Sequence, residues 1–589
     1  MRKFVLAAIG SKYIHCNLAI CSLKAYAEAN GISDCMETAE YTVNQNREDI
    51  LADLAARRPT AVGFSCYIWN IGLVKGLAAD LRQVCPETDQ WLGGPEASYD
   101  AKSLLRQLPF VRGVMCGEGE EAFLRLMEWY ERTDGKAPEE LAAVPGLAWR
   151  LGGEVRENVP GPALELSRLP FVYRHISKED CHKILYYESS RGCPFSCSYC
   201  LSSIDKGLRL RDMGQVKEDL AFFLKQKVPQ VKFVDRTFNC VHRHAMEIWE
   251  FLEQNDNGVT NFHFEIAADL LTQEELGLLG RLRPGQVQLE IGVQSVNPET
   301  LREIRRTTDL ERLAQNVETL GRAKNVHRHL DLIAGLPCED YESFGRSFDW
   351  VYRLRPQQLQ LGFLKVLKGS HMYEMAGEYG MAFSCEPPYE VLKTRWLSYK
   401  ELCRLKRMEK VLETYYNSGQ FTHTMERLCG FCDSPFALYE ELADFLKEQG
   451  LFERQLSRRE RFDVLWEFIS SRQWPDSSFY GVAWRELLVY DYYLRENAKT
   501  RPSFAPRPQE DWPSITAWYA KYGAECPRLV AYRGYGYRQL LHMTHAEVFP
   551  RGFSQNGQKV LVLFDYNARD PLTNNAAAWE AEEWTNDNE

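Results

Sequence analysis

Three cysteines, Cys193, Cys197 and Cys200, stand in the stretch Arg191-Gly192-Cys193-Pro194-Phe195-Ser196-Cys197-Ser198-Tyr199-Cys200. Their C-x3-C-x2-C spacing directly follows an extended run, Ile184–Ser190. A 4Fe–4S cluster is held by thiolates. Three thiolates from one loop can hold three of its irons and leave the fourth open to a small molecule. Gly192 and Pro194 suit a tight wrap, because Gly accepts unusual backbone angles and Pro fixes φ and removes a donor. The competing chemistry is a structural zinc site. Such a site calls for two ligand pairs, and no second pair lies close in the sequence.

That loop has to be placed at a strand end, and the residues around it supply six β/α units. Strand-like runs fall at Ile184–Ser190, Val231–Asp235, Asn261–Ala267, Val287–Gln294, His327–Gly335 and Gln358–Lys365, with helical segments between them. In a barrel of this kind the chemistry sits at the carboxyl ends of the strands. The other ends bring Asp235, then Glu290 with Gln294, and then Gly335. Glu290, Gly292 and Gln294 share one face of a strand. A carboxylate and an amide on an inward face call for a polar ligand.

Ahead of the barrel, residues 1–134 read as a doubly wound sheet. Strands near Arg2–Ile9, Cys35–Tyr41, Thr60–Tyr67, Gln90–Gly93 and Arg112–Cys116 alternate with helices, which implies a parallel sheet in flavodoxin-like order. Its carboxyl ends carry Ser11, Tyr13 and His15, then Ser65 and Tyr67, then Gly93-Gly94-Pro95-Glu96, and finally Gly117-Glu118-Gly119. Residues 135–183 form a linker with a hairpin turning at Gly152-Gly153. Its job is to place two ligand-bearing edges face to face. Residues 386–567 form a mainly α-helical domain, with a long helical pattern opening at Pro387-Pro388 and a strand at Lys559–Phe564. Cys429 and Cys432 there could be a redox pair or half a metal site. Residues 568–589 are expected to be an acidic, disordered tail.

The cysteine motif and its setting resemble the radical S-adenosylmethionine superfamily. The amino-terminal sheet looks like the cobalamin-binding domain of that superfamily's cobalamin-dependent branch. The resemblance implies a 4Fe–4S cluster on Cys193, Cys197 and Cys200, with S-adenosylmethionine on the open iron. Tyr199 would pack by the adenine, Asp235 would stand in for an amino-group contact, Glu290 and Gln294 would lie on the ribose-contacting strand, and Gly335 would let the adenine approach. Cobalamin would lie against Ser11, Tyr13, His15, Ser65, Tyr67, Gly93, Gly94, Pro95, Glu96, Gly117, Glu118 and Gly119. The Asp-x-His-x-x-Gly loop whose His ligates cobalt is absent. His15 lies in that loop without the flanking Asp and Gly, so cobalamin without a protein His ligand is expected. A rival arrangement, as in methylthiotransferases, would use Cys16, Cys66 and Cys116 for a second cluster.

The implied activity is methylation of an unactivated carbon, through a 5′-deoxyadenosyl radical and methylcobalamin. The alternatives are a rearrangement, cyclisation or reduction with the same cofactors, and a non-catalytic cobalamin sensor or scaffold. An intact three-cysteine motif argues against the last. The implied partners are a small-molecule or peptide substrate and an electron donor such as flavodoxin or ferredoxin. A net charge of −11 argues against a general nucleic-acid partner. Basic clusters such as Arg302–Arg306 read as solvated helix faces. No apolar run is long enough to span a bilayer. The 17 cysteines, with no signal core ahead of them, read as reduced thiols of an anaerobic cytoplasm.

Overall fold

The computed structural model describes residues 3–32, 35–174, 176–177, 180–472, 484–505, 511–521, 523, 526–549, 559–581 and 584. The chain divides into two compact units. The first comprises Met1–Val326, Ile333–Asp340 and Gly362–Ser398, and the second comprises His327–Leu332, Tyr341–Leu361 and Tyr399–Glu589.

The first unit opens with strands β1 (Phe4–Gly10), β2 (Met36–Thr42), β3 (Ala61–Ser65), β4 (Asp89–Gly93) and β5 (Gly113–Met115). β1 is apolar on both faces. Phe4, Leu6 and Ala8 enter one core, while Val5, Ala7 and Ile9 enter the other. That is what a parallel strand covered by helices on both sides requires. The first crossover helix, Leu18–Ala29, is capped by Asn17, whose side chain accepts from the Ile20 N–H, and it closes before Gly31 at φ +96°.

The sheet order is β2-β1-β3-β4-β5, as expected of a flavodoxin-like sheet, but it does not stop there. The hairpin β6 (Leu147–Leu151) and β7 (Glu154–Glu157) adds two antiparallel strands to the β5 edge, with Gly113 opposite Trp149. Trp149 is fully buried there. The hairpin read as linker therefore covers a sheet edge that would otherwise leave backbone donors and acceptors unpaired.

Within the first unit the second sheet runs β13-β12-β11-β8, and the two further β/α units expected from the sequence also have their strands. These strands are β8 (Ile184–Tyr187), β11 (Gln230–Phe233), β12 (Asn261–Ile266), β13 (Val287–Gln294), β14 (His327–Ala334) and β15 (Gln358–Phe363). From β8 to β13 every pairing is parallel. Between β8 and β11 lies a two-stranded bracket, β9 (Ser190–Arg191) paired antiparallel with β10 (Arg209–Leu210). The bracket encloses the cysteine hook.

Two expectations for the later chain are corrected. No helix starts at Pro387-Pro388. Residues there form the short ladder of β16 (Ala382–Phe383) and β17 (Val391–Lys393), and the helix begins at Tyr399. The Val366 N–H bonds to the Tyr389 carbonyl and the Val391 N–H to the Leu364 carbonyl, so tertiary pairing takes up this backbone before a helix can. The chain after residue 568 is also not wholly disordered. In the second unit Ala576–Glu580 is a strand, β20, completing a sheet with β18 (Thr544–Phe549) and β19 (Val560–Arg569). Ala576 is buried in it. The other described elements of this unit after Tyr399 are helical. Among the described residues no helix is long and apolar enough to cross a membrane.

Candidate functional site

The hook is built by backbone bonds that return on themselves. Gly192 sits at φ +94°, where a Cβ would meet the Gly207 carbonyl oxygen at 2.6 Å, so only glycine fits. The Cys193 N–H bonds to the Asp205 carbonyl, and the Cys200 N–H bonds to the Cys197 carbonyl. Ser198 is pinned on both sides, its N–H on the Ile304 carbonyl and its carbonyl receiving the Met372 N–H. Cys193 and Cys197 are buried, and all three thiols are free.

Cys197 has a cationic neighbour. The Arg306 Nη1 lies 3.8 Å from its Sγ, and Nη2 donates to the Gly292 carbonyl. Burial pushes the Cys197 thiol up, and Arg306 opposes it. The mixed-charge run Arg302–Arg306 predicts a solvated helix face for Arg306. It is instead partly buried beside the hook, because the helix Pro298–Glu303 ends just before it. A run of mixed charges carries no signal of that enclosure. Tyr199 lies within the influence of the same guanidinium, and burial raises its phenol.

Asp235 does not stand open at its strand end. It is fully buried and accepts three bonds, from the Ser189 N–H at 3.0 Å and from the Ser189 and Ser190 hydroxyls at 2.6 Å each. Ser189 Oγ also lies 2.9 Å from His244 Nε2. Burial raises the carboxyl to about 6 against these bonds. Asp235 is thus a tether for the chain entering the hook, and its oxygens are already used. Gly335, at φ +91°, gives its close approach to a protein side chain, since a Cβ would lie 2.6 Å from Val391 Cγ1.

The inward face of the barrel strands is polar. Phe233, Phe238, Trp249 and Phe264 pack together on the helix side, which leaves Lys232, His263, Glu265 and Glu290 on the other. Glu290 is 3.0 Å from both Lys232 Nζ and His263 Nε2. Burial works to raise its carboxyl, but His263 and Lys232 outweigh it and hold it at about 2. Gln294 ends the strand at φ +71° with its buried Oε1 unpartnered among the described residues. An orphaned amide beside the hook is what a polar ligand would satisfy.

At the edge of the amino-terminal sheet the expected residues fall into two sets. Gly117, at φ +80°, faces open space, and Gly94, at φ +103°, lets its loop pass against the Cys66 backbone. Tyr67 stacks on Trp69 at 4.4 Å beside buried Ser65, and Ser11, Tyr13 and Pro95 are exposed. Gly93 lies against Met115, and a Cβ on Gly119 would meet the Leu23 side chain. The others reach into the second α/β region of the same unit. His15 Nδ1 is 2.8 Å from the Tyr186 hydroxyl, and the Ile184 N–H bonds to the Ile14 carbonyl. Burial, with Lys12 and Lys232, lowers the His15 imidazole. Glu96 accepts from the Tyr389 hydroxyl, and Glu118 pairs with Arg209.

Cys16, Cys66 and Cys116 do not converge. Cys66 and Cys116 bond to carbonyls of their own strands, and Cys16 lies 3.2 Å from the Tyr173 hydroxyl. In the second unit Cys429 Sγ lies 3.3 Å from the Tyr352 hydroxyl, and burial pushes Cys429 and Cys432 up to about 11 each. Among the described residues no group of three or more His, Cys, Asp or Glu side chains is arranged to hold one metal ion. The hook does not need such convergence, because each thiolate of a cluster binds its own iron.

Three family matches follow the order of these regions. The B12 binding domain matches residues 4–127, the radical SAM superfamily 187–351, and a protein of unknown function family (DUF4080) 377–564. The chain carries a B12-binding domain at its amino-terminal end and a radical SAM domain after it. The cofactors of these domains are a 4Fe–4S cluster, S-adenosylmethionine and cobalamin. Three free thiols on one hook, an unpartnered amide on the neighbouring strand and an open glycine loop fit that set.

The chain is similar to an uncharacterized methyltransferase of Pyrococcus horikoshii, at 23% identity over 48% of the chain and 62% of the relative. It is 30% identical to the hopanoid C-3 methylase of Methylococcus capsulatus, over 53% of the chain and 59% of that enzyme. The chain thus spans about three-fifths of the length of these relatives. Among solved structures, the cobalamin-dependent S-adenosylmethionine radical enzyme OxsB aligns with a TM-score of 0.59 at 14% identity, covering 80% of this chain and 75% of that one. The radical S-adenosylmethionine methyltransferase TsrM from Kitasatospora setae aligns at 0.54 and 16%, covering 65% and 78%. These likenesses carry the fold.

Proposed function

We propose that this chain is a methyltransferase acting on an unactivated carbon of a small molecule or peptide. The observation that carries the reading is the three-thiol hook, with Cys193 and Cys197 buried, in the same compact unit as a glycine-lined sheet edge. When bound, the cluster and cobalamin supply reductive cleavage of S-adenosylmethionine to a hydrogen-abstracting radical and delivery of a methyl group. The chain's own work is to bind and to orient.

Cys193, Cys197 and Cys200 hold the cluster. Arg306 keeps positive charge beside Cys197, which favours its thiolate. Gln294, with its unpartnered amide oxygen, and Tyr199, between two of the thiols, would contact S-adenosylmethionine. Glu290, held ionised by His263 and Lys232, keeps the inward face polar. Gly94, Gly117 and the Tyr67–Trp69 pair line the corrinoid side. His15 is engaged by Tyr186, which supports cobalamin without a protein His ligand. An electron donor such as flavodoxin or ferredoxin would serve the cluster, and an anaerobic cytoplasm suits it.

A second reading has one specific support. The anaerobic magnesium-protoporphyrin IX monomethyl ester cyclase of Rubrivivax gelatinosus is 21% identical over 62% of this chain and 67% of that enzyme. A cyclisation without methyl transfer would follow its example. Anaerobic purification and reconstitution, with iron, sulfide and corrinoid analysis, tests the cofactors. Product analysis then separates the readings: methylation yields S-adenosylhomocysteine together with 5′-deoxyadenosine, and cyclisation yields no S-adenosylhomocysteine.

A further inference from the structure

The loop after β5 belongs to the B12-binding domain, yet its carboxylates hold the cysteine hook. Glu120 is buried and accepts from Arg191 Nη2 at 2.8 Å and Nη1 at 3.3 Å. Glu118 accepts from both terminal nitrogens of Arg209, one of them at 3.1 Å, and lies 3.4 Å from Arg191 Nη1. Burial works to raise the Glu118 carboxyl, and the two arginines hold it below the usual range. Arg191 and Arg209 are opposite each other in the β9–β10 bracket, at the mouth of the hook. Arg191 stands two residues before Cys193 and is also gripped by Glu188 at 2.8 Å through two nitrogens.

A two-pair ladder is too short to be stable by itself. A guanidinium held by several carboxylates is fixed in both plane and direction. Glu188, Asp235 and Asp205, which is 2.9 Å from Arg209 Nη2, hold the bracket from within the barrel region, and Glu118 and Glu120 supply the part of its geometry that comes from outside. Gly117 precedes Glu118 directly, and a Cβ there would meet nothing within 4 Å.

We infer that Glu118 and Glu120 are positioning residues for the cluster-binding hook, supplied by the cobalamin-binding domain, so that occupancy of the two cofactor sites is coupled. The coupling rests on the cofactor reading above; the clamp itself rests on the geometry. Coupling between two sites is reciprocal, so each cofactor raises the affinity for the other by the same factor.

The test uses the full chain under anaerobic conditions. In cofactor-free protein, amide exchange across residues 189–210 is compared between wild type and the double variant Glu118→Gln, Glu120→Gln. Exchange is expected to rise about 5- to 30-fold in the double variant, with the amides of β1, β3 and β4 unchanged as the control for folding. Glu120→Asp, which keeps the charge and loses reach, should fall between the two. Unchanged exchange at the hook would overturn the clamp, and so would equal acceleration throughout the sheet.

The second arm measures hydroxocobalamin affinity with and without the reconstituted cluster. Wild type should bind at least about 5-fold tighter when the cluster is present, and this ratio should collapse toward one in the double variant. A wild-type ratio of one overturns the coupling. A wild type that binds no hydroxocobalamin at all removes the cofactor reading, and the exchange arm still decides the clamp.

Discussion

Strands β1–β5 of the amino-terminal sheet and strands β8, β11, β12 and β13 of the barrel are both parallel sets with candidate ligand residues near their carboxyl ends, but they place those residues differently. In the first, β1 is apolar on both faces and contributes only core, and the candidate contacts come from strand ends and the segments that follow them. The barrel strands are apolar on one face only. β13 alternates buried and half-buried residues along its length, and its half-buried positions include Glu290, Gly292 and Gln294. A sheet clad by helices on both sides can bind only at its edge, whereas a curved sheet clad on one side can also use its strands. The loops of the first region consequently did double duty. Glu96, Glu118 and His15 became contacts to the second region and are no longer free to be ligands of their own.

The largest test of this contrast lies at the hook. Cys197→Ala should abolish iron retention and 5′-deoxyadenosine formation, with hydroxocobalamin still bound at the loop-built edge to within the coupling factor. Undiminished 5′-deoxyadenosine would remove the hook from the chemistry. Next comes Asp235→Ala. It leaves the Ser189 N–H and two buried hydroxyls without their acceptor, and should cost about 3 kcal/mol of stability in chemical denaturation. Asp235→Asn, which can still accept from the Ser189 N–H, should cost less. The carboxyl sits at about 6 in the folded chain, above its ordinary range, so the stability its protonation contributes is present below about pH 4 and lost as pH rises through about 6.

Glu290 has the opposite sign. Its folded value of about 2 lies below the ordinary range, so its contribution is present above about pH 4.5 and lost as pH falls toward 2. Glu290→Gln should cost about 2 kcal/mol at neutral pH, with the gap closing in acid. A gap that did not change with pH would mean that Lys232 and His263 do not hold the carboxylate. The smallest effects are expected at His15 and Cys429. His15→Gln should leave the electron paramagnetic resonance of bound cob(II)alamin without any lost nitrogen coupling. Cys429→Ser should leave iron content unchanged and shift stability by less than about 1 kcal/mol.

Much of the fold was legible because the signals were local. Alternating strand and helix periods located the β/α units, Asn17 and Gly31 marked the ends of the first helix, and three cysteines within eight residues marked the hook. What was missed depended on partners distant in sequence. The break at Pro387-Pro388 arose because Tyr389 and Val391 found backbone partners at Val366 and Leu364. β20 formed because β19 offered an edge. Arg306 looked like surface because charge alone does not report enclosure.

The sequence by itself determined the inventory: which residues could be thiolate ligands, where the backbone could turn on glycine, and which segments had to be strands. Those are properties of neighbouring residues and of side-chain chemistry, and a short window contains them. Only the tertiary structure decided which carboxylates were still open to a ligand and which were already spent on the protein. Asp235 closed on Ser189 and Ser190, Glu118 on Arg209, and Glu120 on Arg191, because a buried charge must find its counterpart wherever the fold brings one within reach.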